Sequence, residues 1–184
     1  MMSTVPAFAD GEITASNAGG GTIQFTGSVI NAPCSIKNQN INVDLGQVPA
    51  KKLKAAGATS QAQKIQIDLT DCSFEPTSPN PPTPDHGLLS KVDVEFTGIT
   101  HTVDAANGII GNEATTDKAK NVEIQLLRPD QSVYNLTTGP DLKTATQLDG
   151  GSNPVIFWAQ MISKEGNATA GNVSANVTYK LHYY

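Results

Sequence analysis

Apolar residues recur at every second position in this chain, segment after segment, and almost nowhere at every third or fourth. Residues 64–70, Lys-Ile-Gln-Ile-Asp-Leu-Thr, place Ile65, Ile67 and Leu69 on one face and polar side chains on the other. Residues 91–97 and 121–127 repeat the pattern, and residues 41–45 repeat it briefly before Gln47-Val-Pro-Ala50 breaks it. Residues 173–183 carry it without a break, with Val173, Ala175, Val177, Tyr179, Leu181 and Tyr183 on one parity. A period of two is that of a β-strand with one buried face. Residues 154–161 are apolar on both parities and predict a central strand buried on both faces, with Trp158 in the core. The only helical signal is residues 51–57, one or two turns with a weak apolar face at Leu53, Ala55 and Ala56. Many short strands and abundant turns predict an all-β sandwich.

The connections fit that reading. Asn107-Gly108, Gly111-Asn112 and Arg128-Pro-Asp-Gln131 are turn sequences, and residues 132–135 predict a short strand that pairs back as a hairpin. Residues 75–87 contain five prolines, which remove amide donors and fix φ. They predict an exposed, partly polyproline-like loop between strands.

The first clear alternation is peculiar. Gly21-Thr-Ile-Gln-Phe-Thr-Gly27 reads as a half-buried strand, yet the polar, glycine-rich lead in front of it cannot anchor it locally. Behind it the chain runs into Pro33-Cys34. This stretch is expected to serve both as an arm that leaves its own domain and as that domain's first strand.

At 184 residues the chain has length for one domain with a real core. Its net charge of −5 and pI near 5.0 argue against nucleic-acid binding. No apolar run approaches the ~18 residues that suggest a membrane-spanning helix. Val5-Pro6-Ala7-Phe8-Ala9 before Asp10 reads as the end of a secretory signal peptide, so residues 1–9 are expected to be a signal remnant; an ordinary polar N-terminus is the alternative. Cys34 and Cys72 are the only cysteines, lie 38 positions apart and form no C-x-x-C motif. In an oxidising compartment they would pair, the alternative being two buried thiols.

The residues assemble no active site. His86, His101 and His182 have no metal-ligand spacing, so neither metal nor cofactor is expected. No G-x-S-x-G elbow occurs, and Gly19-Gly20-Gly21 lacks the lysine and helix of a phosphate loop. Asp93 and Glu95 share one face of a strand, which predicts a solvated face more than an acid–base pair. No enzymatic activity is expected.

Three features taken in order resemble the chaperone–usher pilins of Gram-negative bacteria, most of all the major rod subunits of type 1 and P fimbriae. They are Gly-Gly-Gly-Thr-Ile-Gln-Phe-Thr-Gly-Ser-Val-Ile-Asn-Ala-Pro-Cys34-Ser-Ile, Ile-Asp-Leu-Thr-Asp-Cys72, and the terminal alternating strand with Tyr183. The proline-rich insertion after Cys72, the Tyr-Tyr ending and the long polar lead over residues 10–18 depart from the family pattern. The resemblance implies an incomplete immunoglobulin-like sandwich that lacks its final strand and is completed by donor-strand exchange. It implies residues 10–27 as an N-terminal extension and 28–184 as the pilin domain. Gly19, Gly21, Ile23, Phe25 and Gly27 would be the donor positions. Val173, Ala175, Val177, Tyr179, Leu181 and Tyr183 would form the acceptor and chaperone-binding strand. The implied partners are neighbouring pilin subunits in a homopolymer, a periplasmic chaperone and an outer-membrane usher. The implied location is a fimbrium on the cell surface, reached through the periplasm. A minor tip or adaptor pilin, or a glycan-binding adhesive module, is the alternative reading.

Overall fold

The computed structural model describes residues 19–81 and 83–184, so the expected signal remnant and the lead through residue 18 lie outside the described residues. The chain divides into two units, Met1–Asn31 and Ala32–Tyr184. In the first, residues 19–31 form no regular element and every side chain is exposed. The strand expected over residues 21–27 is therefore absent: a single alternating segment with no partner has no ladder to hold it.

Among its described residues the second unit has ten strands and one 3₁₀ turn. The strands are β1 (Ser35–Ile36), β2 (Ala58–Thr59), β3 (Gln63–Cys72), β4 (Lys91–Thr97), β5 (Thr102–Asp104), β6 (Ile109–Ile110), β7 (Glu123–Leu127), β8 (Thr146–Gln147), β9 (Gly151–Ser163) and β10 (Thr178–Tyr183). They form two antiparallel sheets. One has the order β1-β3-β9-β7-β6-β5, with β2 added beside β9; the other has the order β10-β4-β8. The helical signal over residues 51–57 becomes a single 3₁₀ turn, Ala50–Leu53, with Leu53 buried beneath it.

The core lies between the sheets, where the period-two pattern puts it. Ile65, Ile67 and Leu69 of β3, Val92, Val94 and Phe96 of β4, and Val155, Phe157 and Ala159 of β9 form one buried cluster. Phe96, Tyr134 and Phe157 meet edge to face at its centre, with ring centroids 5.0 to 6.0 Å apart. The expected hairpin after β7 shrinks to one bridge between Leu127 and Val133. β9 occupies the middle of its sheet as expected, yet only one of its faces is closed. Ile156, Trp158 and Gln160 are half-buried on the other, and the Trp158 indole donates to the Pro129 carbonyl at 3.2 Å.

Two local departures matter. β3 carries Ile65, Ile67 and Leu69 inward, so unbroken alternation would turn Cys72 to solvent. An irregularity between Leu69 and Cys72, with Asp71 at φ 54°, resets the parity and buries Cys72. Cys34 and Cys72 form a disulfide there.

The expectation of a solvated Asp93 is corrected. Asp93 is 1% exposed because the loop after Tyr134 folds across that end of β4. Its carboxylate accepts from the Asp141 amide at 3.0 Å and the Thr144 hydroxyl at 2.8 Å, and it faces the Arg128 guanidinium at 3.6 Å. Arg128 in turn lies over the Tyr134 ring, 4.8 Å from its centroid. Glu95 stays half-buried and pairs with His182 across the strands at 2.8 Å.

Candidate functional site

An open groove of about 1270 Å³ runs along the second unit. Its floor is apolar and comes from strands that the sandwich core already orders: Ile65, Phe96, Ile110, Ile124, Leu126 and Ala159, with Met161 toward one end. One wall is the segment 39–48 and the other is the segment 168–179. At about 3.3 Å per residue, residues 172–179 of the second wall make roughly 25 Å of chain.

Both walls are strands in pattern but not in pairing. Residues 41–45, expected as a strand, keep their alternation, with Ile41, Val43 and Leu45 turned toward the core; among the described residues no neighbouring backbone pairs with them. The long terminal strand is paired only from Thr178 onward, along β4. Ahead of that point the backbone is one-sided. Glu113 donates to the Ser174 carbonyl at 2.7 Å, and Asn172 donates to the Asp117 carbonyl at 2.6 Å. The Ser174 amide donates to the Asn112 side-chain carbonyl at 3.1 Å, and the Asn176 amide to the Glu113 carboxylate at 3.2 Å. Among the described residues, the main-chain groups of Val173, Ala175 and Val177 find no hydrogen-bond partner. Alternate residues of a strand direct these groups to opposite sides, so the free set lies on the edge away from the 112–119 loop. That edge has the donors and acceptors of half a β-ladder.

The expected acceptor residues separate into two groups. Val173, Ala175, Val177 and Tyr179 line the groove, while Leu181 and Tyr183 pack against the core without lining it. All six share one parity and pack against the core. Burial raises the phenol pKa of both Tyr179 and Tyr183 above its ordinary value. The Tyr179 hydroxyl lies 3.4 Å from the Asn38 and Gln39 carbonyls and links the two walls at one end.

The expected donor residues lie in the other unit. Gly19, Gly21 and Gly27 have nothing within 4 Å of a Cβ built on them, and Ile23 and Phe25 are 77% and 87% exposed. Val29 shares their parity and is fully exposed, so the apolar stripe runs two residues beyond Gly27. Sequence reasoning missed Val29, although its position in the alternation marks it. The first wall was missed as part of a site because its short alternation says nothing about which strand it will fail to pair with.

The family model for fimbrial protein matches residues 23–184. This chain belongs to the fimbrial protein family. The fimbrial protein is 32% identical over 185 residues to the type-1 fimbrial protein A chain of Escherichia coli, covering 99% of this chain and 91% of that one. It is also 32% identical to long polar fimbria protein A of Salmonella typhimurium, covering 92% and 86%. Among solved structures it resembles a subunit of a chaperone–usher pilus solved to explain rod uncoiling, at a TM-score of 0.65 and 22% identity, covering 93% of this chain and 99% of that one. The P pilus rod subunit PapA follows at a TM-score of 0.58 and 20% identity, covering 83% and 100%. The immunoglobulin-like pilin fold is thus shared by the fimbrial protein and these subunits. Its relatives are structural fimbrial subunits, a family without enzymatic activity.

Proposed function

We propose that this fimbrial protein is a rod-building subunit that polymerises by donor-strand exchange, its segment 19–29 filling the groove of a neighbouring copy. The observation that carries the reading is the pair of unpaired groove walls over an apolar floor. An inserted strand would gain main-chain hydrogen bonds along the free edge at Val173, Ala175 and Val177, and it would bury one face on the floor. The segment has the matching form: small residues at Gly19, Gly21 and Gly27, and exposed apolar side chains at Ile23, Phe25 and Val29. Burying Ile23 and Phe25 is worth roughly 1.5–3 kcal/mol each.

In this reading a periplasmic chaperone fills the groove first, with Tyr183 near its point of capture, and an outer-membrane usher presents the next subunit's arm. The fibre then stands on the cell surface. Removing residues through Phe25 tests the arm. The truncated chain is expected to remain monomeric when released from the chaperone, and fibres seen by electron microscopy would refute the assignment. Full-length protein is expected to form long rods; short tips alone would favour the adaptor or adhesive role.

A further inference from the structure

The two ends of the sandwich differ in charge: one is rich in exposed lysine, the other is acidic, and the arm leaves from the acidic one. Its root is fixed there: the Ser73 amide donates to the Pro33 carbonyl at 3.0 Å beside the Cys34–Cys72 disulfide. Around that root stand Asp71, Glu75 and Asp149, all exposed, together with the half-buried Asp85. Lys37, His86 and the half-buried Lys91 are the basic groups there, and His86 is already engaged with Asp149 at 3.3 Å.

At the far end three loops are tied together. The Asn167 amide donates to the Lys54 carbonyl at 2.8 Å, and the Thr169 amide donates to the Lys120 carbonyl at 3.1 Å. These loops expose Lys51, Lys52, Lys54, Lys118 and Lys120 against only two exposed carboxylates, Asp117 and Glu165. Half-buried charges also lie at this end, and only Lys164 and Asp104 compensate one another. Lys164 pairs with Asp104 at 3.1 Å, while Glu123 and Glu113 accept from the Lys164 and Asn176 amides. With the half-buried groups included, six lysines stand against five carboxylates here, so this end is about +1 on a chain of net charge −5.

From this asymmetry we infer that the lysine end is the docking surface for the acidic arm-root end of the next copy. The inference rests on the donor-strand reading. Only four residues separate Val29 from Cys34, a span of at most ~18 Å between their α-carbons. A donor seated up to Val29 therefore holds its own domain against the end of the groove from which it emerges. A strand antiparallel to β10 emerges at the 168–173 end, among the lysines; a parallel one emerges near Tyr184, where acid would face acid. In the antiparallel insertion the exposed lysines meet the acidic root, which adds an ionic contact at every junction, faster to form at low salt.

The test follows assembly of the full-length protein by sedimentation and electron microscopy at 20 and 500 mM salt. The triple variant K51E/K52E/K54E and the triple variant D71K/E75K/D149K are each expected to assemble about tenfold slower at low salt. A chain carrying both sets is expected to regain the wild-type rate. Circular dichroism and thermal melting of each unassembled variant establish that its domain is folded. Wild-type rates in either triple variant, or no rescue in the combined chain, would overturn the inference. Assembly by the arm-deleted chain would instead overturn the donor-strand reading, so the two failures are distinguishable.

Discussion

Asp93 is the residue whose environment departs furthest from what its neighbours in sequence suggest. A carboxylate in an alternating strand, opposite Val92 and Val94, has the position of a solvent-facing residue. It is buried because a loop some fifty residues later supplies the Asp141 amide and the Thr144 hydroxyl, with Arg128 alongside. Removing one member of such a group leaves the other charge without compensation. Asp93→Ala is therefore expected to destabilise the domain by about 3 kcal/mol, with Asp93→Ala/Arg128→Met recovering part of the loss in urea denaturation. Tyr134→Phe removes the hydroxyl that donates to the Val94 carbonyl at 2.6 Å, at an expected cost of about 1–2 kcal/mol. Asp104 tests acid sensitivity. The Asn107 amide, and then Lys164, hold its carboxyl below the ordinary range. Its contribution is present above the unfolded pKa near ~3.9 and is lost as pH falls through the lower folded value. Asp104→Asn is expected to flatten the stability curve in that acid window, measured by thermal melting.

At the scale of elements, the strands were legible where one face is apolar and the other polar, as in β3, β4 and β7. The register of β3 and β9 follows from the same pattern, since slipping by one residue would expose Ile65, Ile67 and Leu69 together. What alternation does not encode is whether a strand finds a partner. Residues 21–27, 41–45 and 173–177 all alternate and, among the described residues, none joins a strand ladder; only the three-dimensional structure shows that the last two face each other across a groove. The bulge at Asp71 was equally hidden, because no glycine marks it. Glycines make two predictions here. Gly21→Leu places a large side chain at a donor position expected to need none, and is expected to slow subunit exchange in a reconstituted chaperone reaction; an unchanged rate would count against that position. Gly166 has φ 78°, and a Cβ there would lie 2.8 Å from the Lys54 carbonyl and 2.9 Å from the Ala56 amide nitrogen. Gly166→Ala is expected to cost about 1–3 kcal/mol in thermal or chemical denaturation, because it strains the loop that leads into the second groove wall.

At the scale of the whole molecule, an exported β-sandwich with paired cysteines was the expectation from sequence, and its family was readable from three motifs in order. The charge polarity was not readable, because Lys54, Lys120 and Lys164 become neighbours only through loop contacts between strands distant in the chain. Reducing the Cys34–Cys72 bond in the folded domain should cost about 4 kcal/mol on a loop-entropy estimate, read as a lower denaturation midpoint after treatment with a strong reductant.

That bond also sets how the protein responds to pulling. A force applied through the arm enters the domain at Cys34, directly ahead of β1, which is paired to β3 over only two residues. Those two pairs and the backbone bonds that flank them, from Ser73 to Pro33 and from Lys37 to Asp68, form a short ladder that would unzip at low tension. The disulfide passes the force instead to Cys72 at the end of β3, whose ladder with β9 extends from Gln63 to Leu69. The strands must then slide past one another with many hydrogen bonds sharing the strain. In single-molecule stretching, the oxidised domain should unfold at markedly higher force than the Cys34→Ser/Cys72→Ser variant, and the difference should disappear when the oxidised protein is reduced.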